Sequence, residues 1–173
     1  MATIKGANSA SGYEITASCD FNASDNDHMT NTPASNGNQR IWTFSAWVKV
    51  DASAADRCIF HIGTWPAEPW TLISVHDTDK ILFRSYYDGN DYLYLSNTTF
   101  DEDGTWNHLV VAVDTTQGTD TNRVKIYKNG TQLTSFQIQA KVAEDYDTGA
   151  NQSNLEHQLG EEGGLGRYFD GVM

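Results

Sequence analysis

With 173 residues, 11 basic and 23 acidic side chains and a formal net charge of −12, the chain is long enough for one domain with a sizeable core, without disulfide or metal staples. The acidic balance, with no cluster of Lys and Arg, argues against nucleic acid as a partner, because neutralising phosphates takes grouped cations. No stretch has the apolar length of a membrane span, and Met1 to Gly6 lacks the apolar core of a secretory signal, so neither membrane insertion nor export by the usual signal is expected.

Charged residues make up 20% of the chain and aromatic ones 12%, with Ser, Thr, Asn, Asp and Gly filling most of the rest, a profile that fits an all-β protein with polar turns. Cys19 and Cys58 each have an apolar residue two positions on, Phe21 and Phe60, and read as core thiols on strands, with a disulfide between them as the alternative. Residues 24–39 form a long polar loop. Residues 42–50 alternate strictly: Trp42, Phe44, Ala46, Val48 and Val50 fall on one face, Thr43, Ser45, Trp47 and Lys49 on the other. Strands follow at residues 58–62, 70–76 and 81–87. The last of these runs through Asp88-Gly89-Asn90-Asp91 into Tyr92-Leu93-Tyr94-Leu95, a hairpin signal. Residues 106–114 are apolar on both parities toward their end and predict a central strand. Asn129-Gly130, between the alternating runs 123–128 and 131–136, predicts a type I′ hairpin. A second polar loop covers residues 143–164. Trp42, Trp47 and Trp106 are expected in the core, as is His108, which shares the parity of Trp106 and Val110. Many short strands with turns between them predict a β-sandwich.

Four segments in order, Phe44-Ser45-Ala46-Trp47-Val48-Lys49, residues 106–114, Val124-Lys125-Ile126-Tyr127-Lys128-Asn129-Gly130 and Gly166-Arg167-Tyr168-Phe169-Asp170-Gly171, resemble the laminin-G-like, concanavalin A-like lectin/glucanase superfamily. The resemblance spans nearly the whole chain and implies a jelly-roll sandwich of two antiparallel sheets, a single domain over residues 1–173. Asn31-Thr32-Pro33, Asp114-Thr115-Thr116-Gln117, residues 122–127 and Thr134-Ser135-Phe136 further resemble modules in structural and tail-fibre proteins of tailed bacteriophages, marine ones especially. The family pattern continues past Phe169-Asp170-Gly171 with another strand. The resemblance therefore implies that a final C-terminal strand is missing and that a sheet edge stands open beside Arg167-Tyr168-Phe169.

Glycoside hydrolysis needs two carboxylates flanking the bond, and the superfamily's glucanases place them in a Glu-x-Asp-x-x-Glu-like strand motif. Glu144-Asp145-Tyr146-Asp147 comes nearest but lies in a polar loop, so no catalytic activity is expected. The five histidines show no paired metal spacing, and no Gly-x-Ser-x-Gly elbow is present. Calcium is a candidate cofactor. Hard cations take clustered carboxylates and carbonyls, and Asp20, Asn22, Asp25 and Asp27 supply such a set, with Asp170 brought near if the terminal strands pair as the resemblance implies; the plain alternative is a polar turn capping its own backbone. For a glycan, exposed rings stack on pyranose faces. Trp65 and Trp70 flank a loop with two of the chain's three prolines, and Tyr87, Asp88, Asn90 and Tyr92 sit at a hairpin tip, although the same rings equally suit sandwich cover or a neighbouring subunit.

The expected function is a non-catalytic structural module of a phage virion, in a fibre, appendage or capsid-surface protein, acting in assembly or surface attachment. Such a protein is made in the host cytoplasm and works outside the cell, so its partners are other virion proteins or further parts of the same polypeptide, in an oligomeric assembly. The alternative is a lectin-like module that binds a cell-surface glycan, and a polysaccharide-cleaving enzyme comes third.

Overall fold

Two sheets packed face to face are what the alternating segments build. The computed structural model describes residues 17–51, 55–100 and 104–173, together with the backbone of three short strands, Thr3–Lys5, Asn8–Ala10 and Tyr13–Ile15. Among these residues two seven-stranded sheets face each other. The first runs, edge to edge, through Thr3–Lys5, Ser18–Phe21, Gly171–Val172, Ile41–Val50, Trp106–Asp114, Val124–Lys128 and Thr131–Gln132. The second runs through Phe136–Ala140, Asn90–Thr99, Lys80–Tyr87, Ala67–Val75, Arg57–Thr64, His157–Leu159 and Met29–Asn31. Every pairing in both is antiparallel, giving the jelly-roll sandwich that the sequence implies. No helix among the described residues is long and apolar enough to cross a membrane.

Residues on one parity of each sheet fill the space between them. Val48, Val50, Leu109, Val111, Val113 and Ile126 from the first sheet meet Ile59, Ile73, Val75, Ile81, Phe83 and Tyr94 from the second. Asn129 and Gly130 both have positive φ, 50° and 78°, as a type I′ turn demands. The chain then leaves the first sheet after Gln132, and Phe136–Ala140 pairs with Asn90–Thr99 in the second.

Several expectations are corrected. The edge beside Arg167-Tyr168-Phe169 is not open: Arg167–Tyr168 pairs with Glu161–Glu162, and the Phe169 N–H donates to the Gly160 carbonyl at 2.8 Å. Gly171–Val172 lies inside the first sheet, bonded on one side to Ser18–Phe21 and on the other to Ile41–Val50. Each polar loop contributes a strand, Met29–Asn31 and His157–Leu159, and these two pair with each other. The thiols are free and unlinked: Cys58 is fully buried, whereas Cys19 is half-buried against the inter-sheet core. Trp47 and His108 lie outside the core, because strand parity turns both outward, and Trp47 is 44% exposed. Trp106 shares that outward parity and is half-buried.

A second apolar layer covers the outer face of the second sheet. Cys58, Trp70, Leu72, Leu82 and Leu95 pack there, away from the inter-sheet core. The Glu161–Tyr168 ribbon lies against Arg57–Thr64 at this face. Beneath it His61 Nδ1 lies 3.2 Å from the Gly163 nitrogen and 3.3 Å from Gln158 Oε1, and the ring tautomer decides which of the two it bonds. Burial lowers the His61 pKa to about 4.

Two outcomes follow from this packing. Thr148 Oγ1 accepts the Trp42 Nε1–H at 2.8 Å and the Ala150 N–H at 3.4 Å and donates to the Gln39 carbonyl, which keeps the Thr148 backbone N–H, so isosteric Thr148→Val takes the acceptor from two N–H groups and should cost about 1–3 kcal/mol by chemical denaturation. For His61 the folded pKa of about 4 lies below the unfolded value of 6.5, so the unfolded chain takes up the proton first and stability falls as pH drops from 6.5 toward 4. Burial raises the pKa of Glu162 in the same layer, which acts in the opposite sense, losing stability as pH rises through its range. The difference between wild-type and His61→Gln stability curves isolates the histidine. It should show a relative gain of about 2–3 kcal/mol for the variant over that window.

Candidate functional site

The rim where Ala67–Val75, Lys80–Tyr87 and Asn90–Thr99 meet their loops collects most of the aromatic residues singled out above. Register places Trp70 beside Tyr86 and Tyr86 beside Asp91, with Leu72 opposite Arg84 in the next row, all on the outer face of the second sheet. The Trp70 and Tyr86 rings stack with centroids 5.6 Å apart and 18° between planes. The Arg84 guanidinium carbon stands 5.2 Å from the Trp70 ring centroid, a cation–π contact. Arg84 is held in turn by both oxygens of Asp91, at 2.9 Å from Nε and 2.6 Å from Nη2. This bidentate pair fixes the plane of the guanidinium.

Trp70 is 2% exposed and cannot itself meet a ligand. It braces Trp65, which is 37% exposed and contacts it edge-on at 5.3 Å and 67°. The Trp65 N–H donates to the Gly163 carbonyl at 3.0 Å, anchoring the loop to the ribbon. At the neighbouring turn Asp88 and Gly89 adopt φ of 53° and 72°, and the Gly89 N–H donates to Glu68 Oε2 at 3.4 Å, so the proline loop and the hairpin tip are joined. Asn90 Nδ2 donates to the Asp88 carbonyl at 2.9 Å and stays exposed.

The sheet divides the remaining candidates. Tyr92 pairs with Ser85, on the parity facing the inter-sheet space, and its ring meets Tyr146 at 4.7 Å. Tyr87 shares that parity and approaches Tyr146 at 6.5 Å, with 39% of its own surface exposed. Burial pushes the Tyr146 hydroxyl pKa upward, so it stays protonated. Thus Trp65 and Trp70 belong with Arg84, Tyr86 and Asp91, whereas Tyr87 and Tyr92 belong with Tyr146. Sequence reasoning missed Arg84, although Arg84 and Tyr86 share the parity of Trp70 and Leu72 once the strands are aligned.

The calcium candidates come together in part. Gly171–Val172 pairs with Ser18–Phe21 and carries Asp170 to the loop, where its Oδ1 accepts the Ala23 N–H at 3.3 Å. Asp27 Oδ2 accepts the Asn22 N–H at 3.4 Å, and Asn22 bridges Asp25 Oδ2 at 3.1 Å and the Ser24 N–H at 2.9 Å. Asp20 lies on the strand beside them, paired with Val172. These groups cap backbone, and the acids do not place three carboxylate oxygens within 4.8 Å of one another. The set of His, Cys, Asp and Glu atoms that does so among the described residues is Asp56, His76 and Asp77. There Asp56 is paired with Arg167 at 3.2 Å, and Asp77 lies 2.6 Å from His76 Nδ1.

A laminin G-type family model described as concanavalin A-like lectin/glucanases superfamily matches residues 23–173. Domains LG4-5 of the mouse laminin α1 chain superpose with a TM-score of 0.63 at 12% identity, covering 95% of this chain and 42% of that one. The enzymatically active domain of tailspike protein 2 from bacteriophage CBA120 gives 0.62 at 11% identity, over 99% of this chain and 26% of that one. The CBM40 module of the Ruminococcus gnavus IT-sialidase, bound to α2,3-sialyllactose, gives 0.58 at 12% identity, over 84% and 87%. The chain thus spans less than half of the laminin fragment and about a quarter of the tailspike chain, and at these identities the likeness is one of fold. No curated protein matches the chain in sequence. By the family match and its two-sheet architecture, the chain belongs to the concanavalin A-like lectin/glucanases superfamily.

Proposed function

We propose that this chain is a non-catalytic structural module of a phage virion, in a fibre, appendage or capsid-surface protein, and that it serves surface attachment by holding a cell-surface glycan at the Trp65 rim. Trp65 is the observation that carries the reading. Its indole is 37% exposed and fixed edge-on by a buried tryptophan, over whose ring the Asp91-bound Arg84 guanidinium stands, and Glu68 follows in the same proline loop. A ring held in this way offers an apolar surface to a pyranose at little ordering cost, and the polar neighbours supply hydroxyl partners.

The setting is supported by fold alone. A module of the same fold is bound to sialyllactose in the Ruminococcus enzyme, and another forms part of a phage tailspike chain. In a virion the protein would be made in the host cytoplasm and act outside it, in an oligomeric assembly with other virion proteins or with further parts of its own polypeptide.

The non-catalytic part of the reading is supported by what the nearby carboxylates already do. Hydrolysis takes two carboxyl groups free to exchange protons on either side of the scissile bond. Asp91 is clamped by Arg84, Glu162 is buried and lies 3.2 Å from Arg167 Nη1, and Glu68 accepts a backbone N–H.

A glycan array followed by titration of the best ligand tests the proposal. Saturable binding is expected, weakened about tenfold by Trp65→Ala with no comparable loss of melting temperature and with no release of reducing ends. An array without binding, or a Trp65→Ala variant that binds like the parent, would remove the attachment role, and turnover of a polysaccharide would remove the non-catalytic one.

A further inference from the structure

The outer face of the first sheet, on the opposite side of the sandwich from Trp65, holds a second aromatic platform. Register brings Lys49 beside Trp106, Trp47 beside His108, Ser45 beside Val110, and Thr43 beside Ala112, and the next strand adds Tyr127 and Lys125 in the rows of Val110 and Ala112. Trp47 is 44% exposed. Its ring stacks on the His108 imidazole at 5.0 Å and 26°, and His108 Nε2 is held 2.9 Å from the Ser45 hydroxyl. The indole is therefore fixed in orientation, flat beside its neighbour, while half-buried Trp106, Val110 and Tyr127 extend the apolar floor and exposed Thr43 and Ser45 supply hydroxyls.

Charge says what such a floor would take. Arg40, Arg57, Arg84, Arg123, Lys141 and Arg167 all pair with carboxylates. Lys49 and Lys125 pair with none among the described residues, and both stand on this face. Of the acids of the same face, Asp20 lies in the row of Lys49 two strands away, and Asp114, two residues from Lys125's partner Ala112, is held by Thr116 and Gln117. On a chain of net charge −12, two ammonium groups without a carboxylate partner among the described residues, flanking an aromatic floor, complement an anion. Lys49 and the Thr43–Lys125 row are six residues apart along the strands, roughly 20 Å. That separation suits a polymer with repeated charges better than a single acidic sugar.

We propose that this face binds an acidic polysaccharide of the polyuronate class, with a pyranose ring on Trp47 and carboxylates reaching Lys49 and Lys125. The spaced single charges of such a polymer suit two lone lysines, whereas the dense phosphates of nucleic acid would meet the acidic remainder of the surface. At physiological salt the screening length is about 8 Å, so distant carboxylates of the protein are masked while contact pairs persist. This inference stands apart from the Trp65 reading, because it uses the other sheet and other residues.

The test uses polygalacturonate as probe, dextran as neutral control, and biolayer interferometry at physiological salt, with each variant's melting temperature measured beside it. Wild-type protein should bind polygalacturonate and not dextran. Trp47→Ala should weaken binding about tenfold. The pair Lys49→Gln and Lys125→Gln should weaken it about fivefold and flatten its salt dependence, with Lys→Arg at both positions retaining it. Trp65→Ala should leave it unchanged. A folded wild-type protein that ignores polygalacturonate, or a Trp47→Ala variant that binds it fully, overturns the proposal. Loss in Trp65→Ala alone would transfer the binding to the other rim, and a concentration-dependent dimer abolished by Trp47→Ala would assign the face to a second copy of the chain. Either result also overturns it.

Discussion

The mouth of the sandwich beneath Tyr87 and Tyr92 is closed by residues 143–151, and that closure depends on one line of hydroxyl hydrogen bonds. Thr71 Oγ1 has a single proton and gives it to the Thr148 carbonyl at 2.6 Å. Its 2.8 Å contact with Ser85 must then be donated by Ser85, and the 3.3 Å contact between Ser85 and Tyr146 by the tyrosine. The direction of every proton in the line follows from the first. The same segment reaches the first sheet through Trp42 and Thr148, and Thr115 just beyond it through the Tyr146 carbonyl. A stretch without regular structure thus ties both sheets together, in a buried place where unpaired polar groups would be costly. It also sets the candidate site. Gly149, at φ +77°, lies where a Cβ would come within 3.1 Å of the Pro69 ring, so the proline loop that presents Trp65 rests directly on this closure.

How much of this is legible in the sequence depends on how many faces of a strand are dry. Ile41–Val50 and Trp106–Asp114 have one dry face each, and their alternation identifies the inward residues Ala46, Val48, Val111 and Val113 before any coordinates exist. Phe44 follows the same parity but ends half-buried, stacked on Phe60 at 5.1 Å. Arg57–Thr64 and Ala67–Val75 are buried on both faces, because the ribbon and the second apolar layer cover the side that would otherwise be wet. Period-two contrast is lost there, and the ribbon itself, rich in Glu and Gly, gives no sign of what it covers. Met29–Asn31 and His157–Leu159 are invisible for another reason: they are short strands held by backbone pairing, with side chains too polar to mark them.

The candidate site shows the same division between residue type and placement. Residue type finds the aromatic rings but not the side of the sheet on which each one stands. Trp47 is the instructive case, since the parity that sends Phe44, Ala46 and Val48 inward necessarily sends Trp47 outward, against the tendency of tryptophan to be buried. Tyr86 and Tyr87 are adjacent in sequence and separated by the sheet, one stacked on Trp70 and the other directed toward Tyr146. A cluster of tyrosines in a hairpin therefore amounts to two half-clusters with different neighbours, and the partners that organise each half, Arg84 for one and Tyr146 for the other, come from outside the hairpin tip.

Net charge is similarly coarse as a guide to partners, because it takes no account of where the cations are spent. The arginines of this chain serve its own carboxylates, and two of them its backbone as well. Arg123 donates to the carbonyls of Gln117, Gly118 and Val142 at 2.7, 3.1 and 3.0 Å, closing turns that would otherwise leave acceptors unpaired. Arg57, 1% exposed, donates to the Asp51 carbonyl and to Asp79. A planar fork of donors suits that work better than a point charge does. Once the guanidinium groups are committed to the interior and to ion pairs, positive charge available to a partner is carried by lysine, and strand parity puts Lys49 and Lys125 on one face with Trp47 between their rows. A chain whose total charge repels polyanions thereby keeps two lysines without a carboxylate partner among the described residues on one face, and that placement is a property of the fold that a sum over the sequence cannot express.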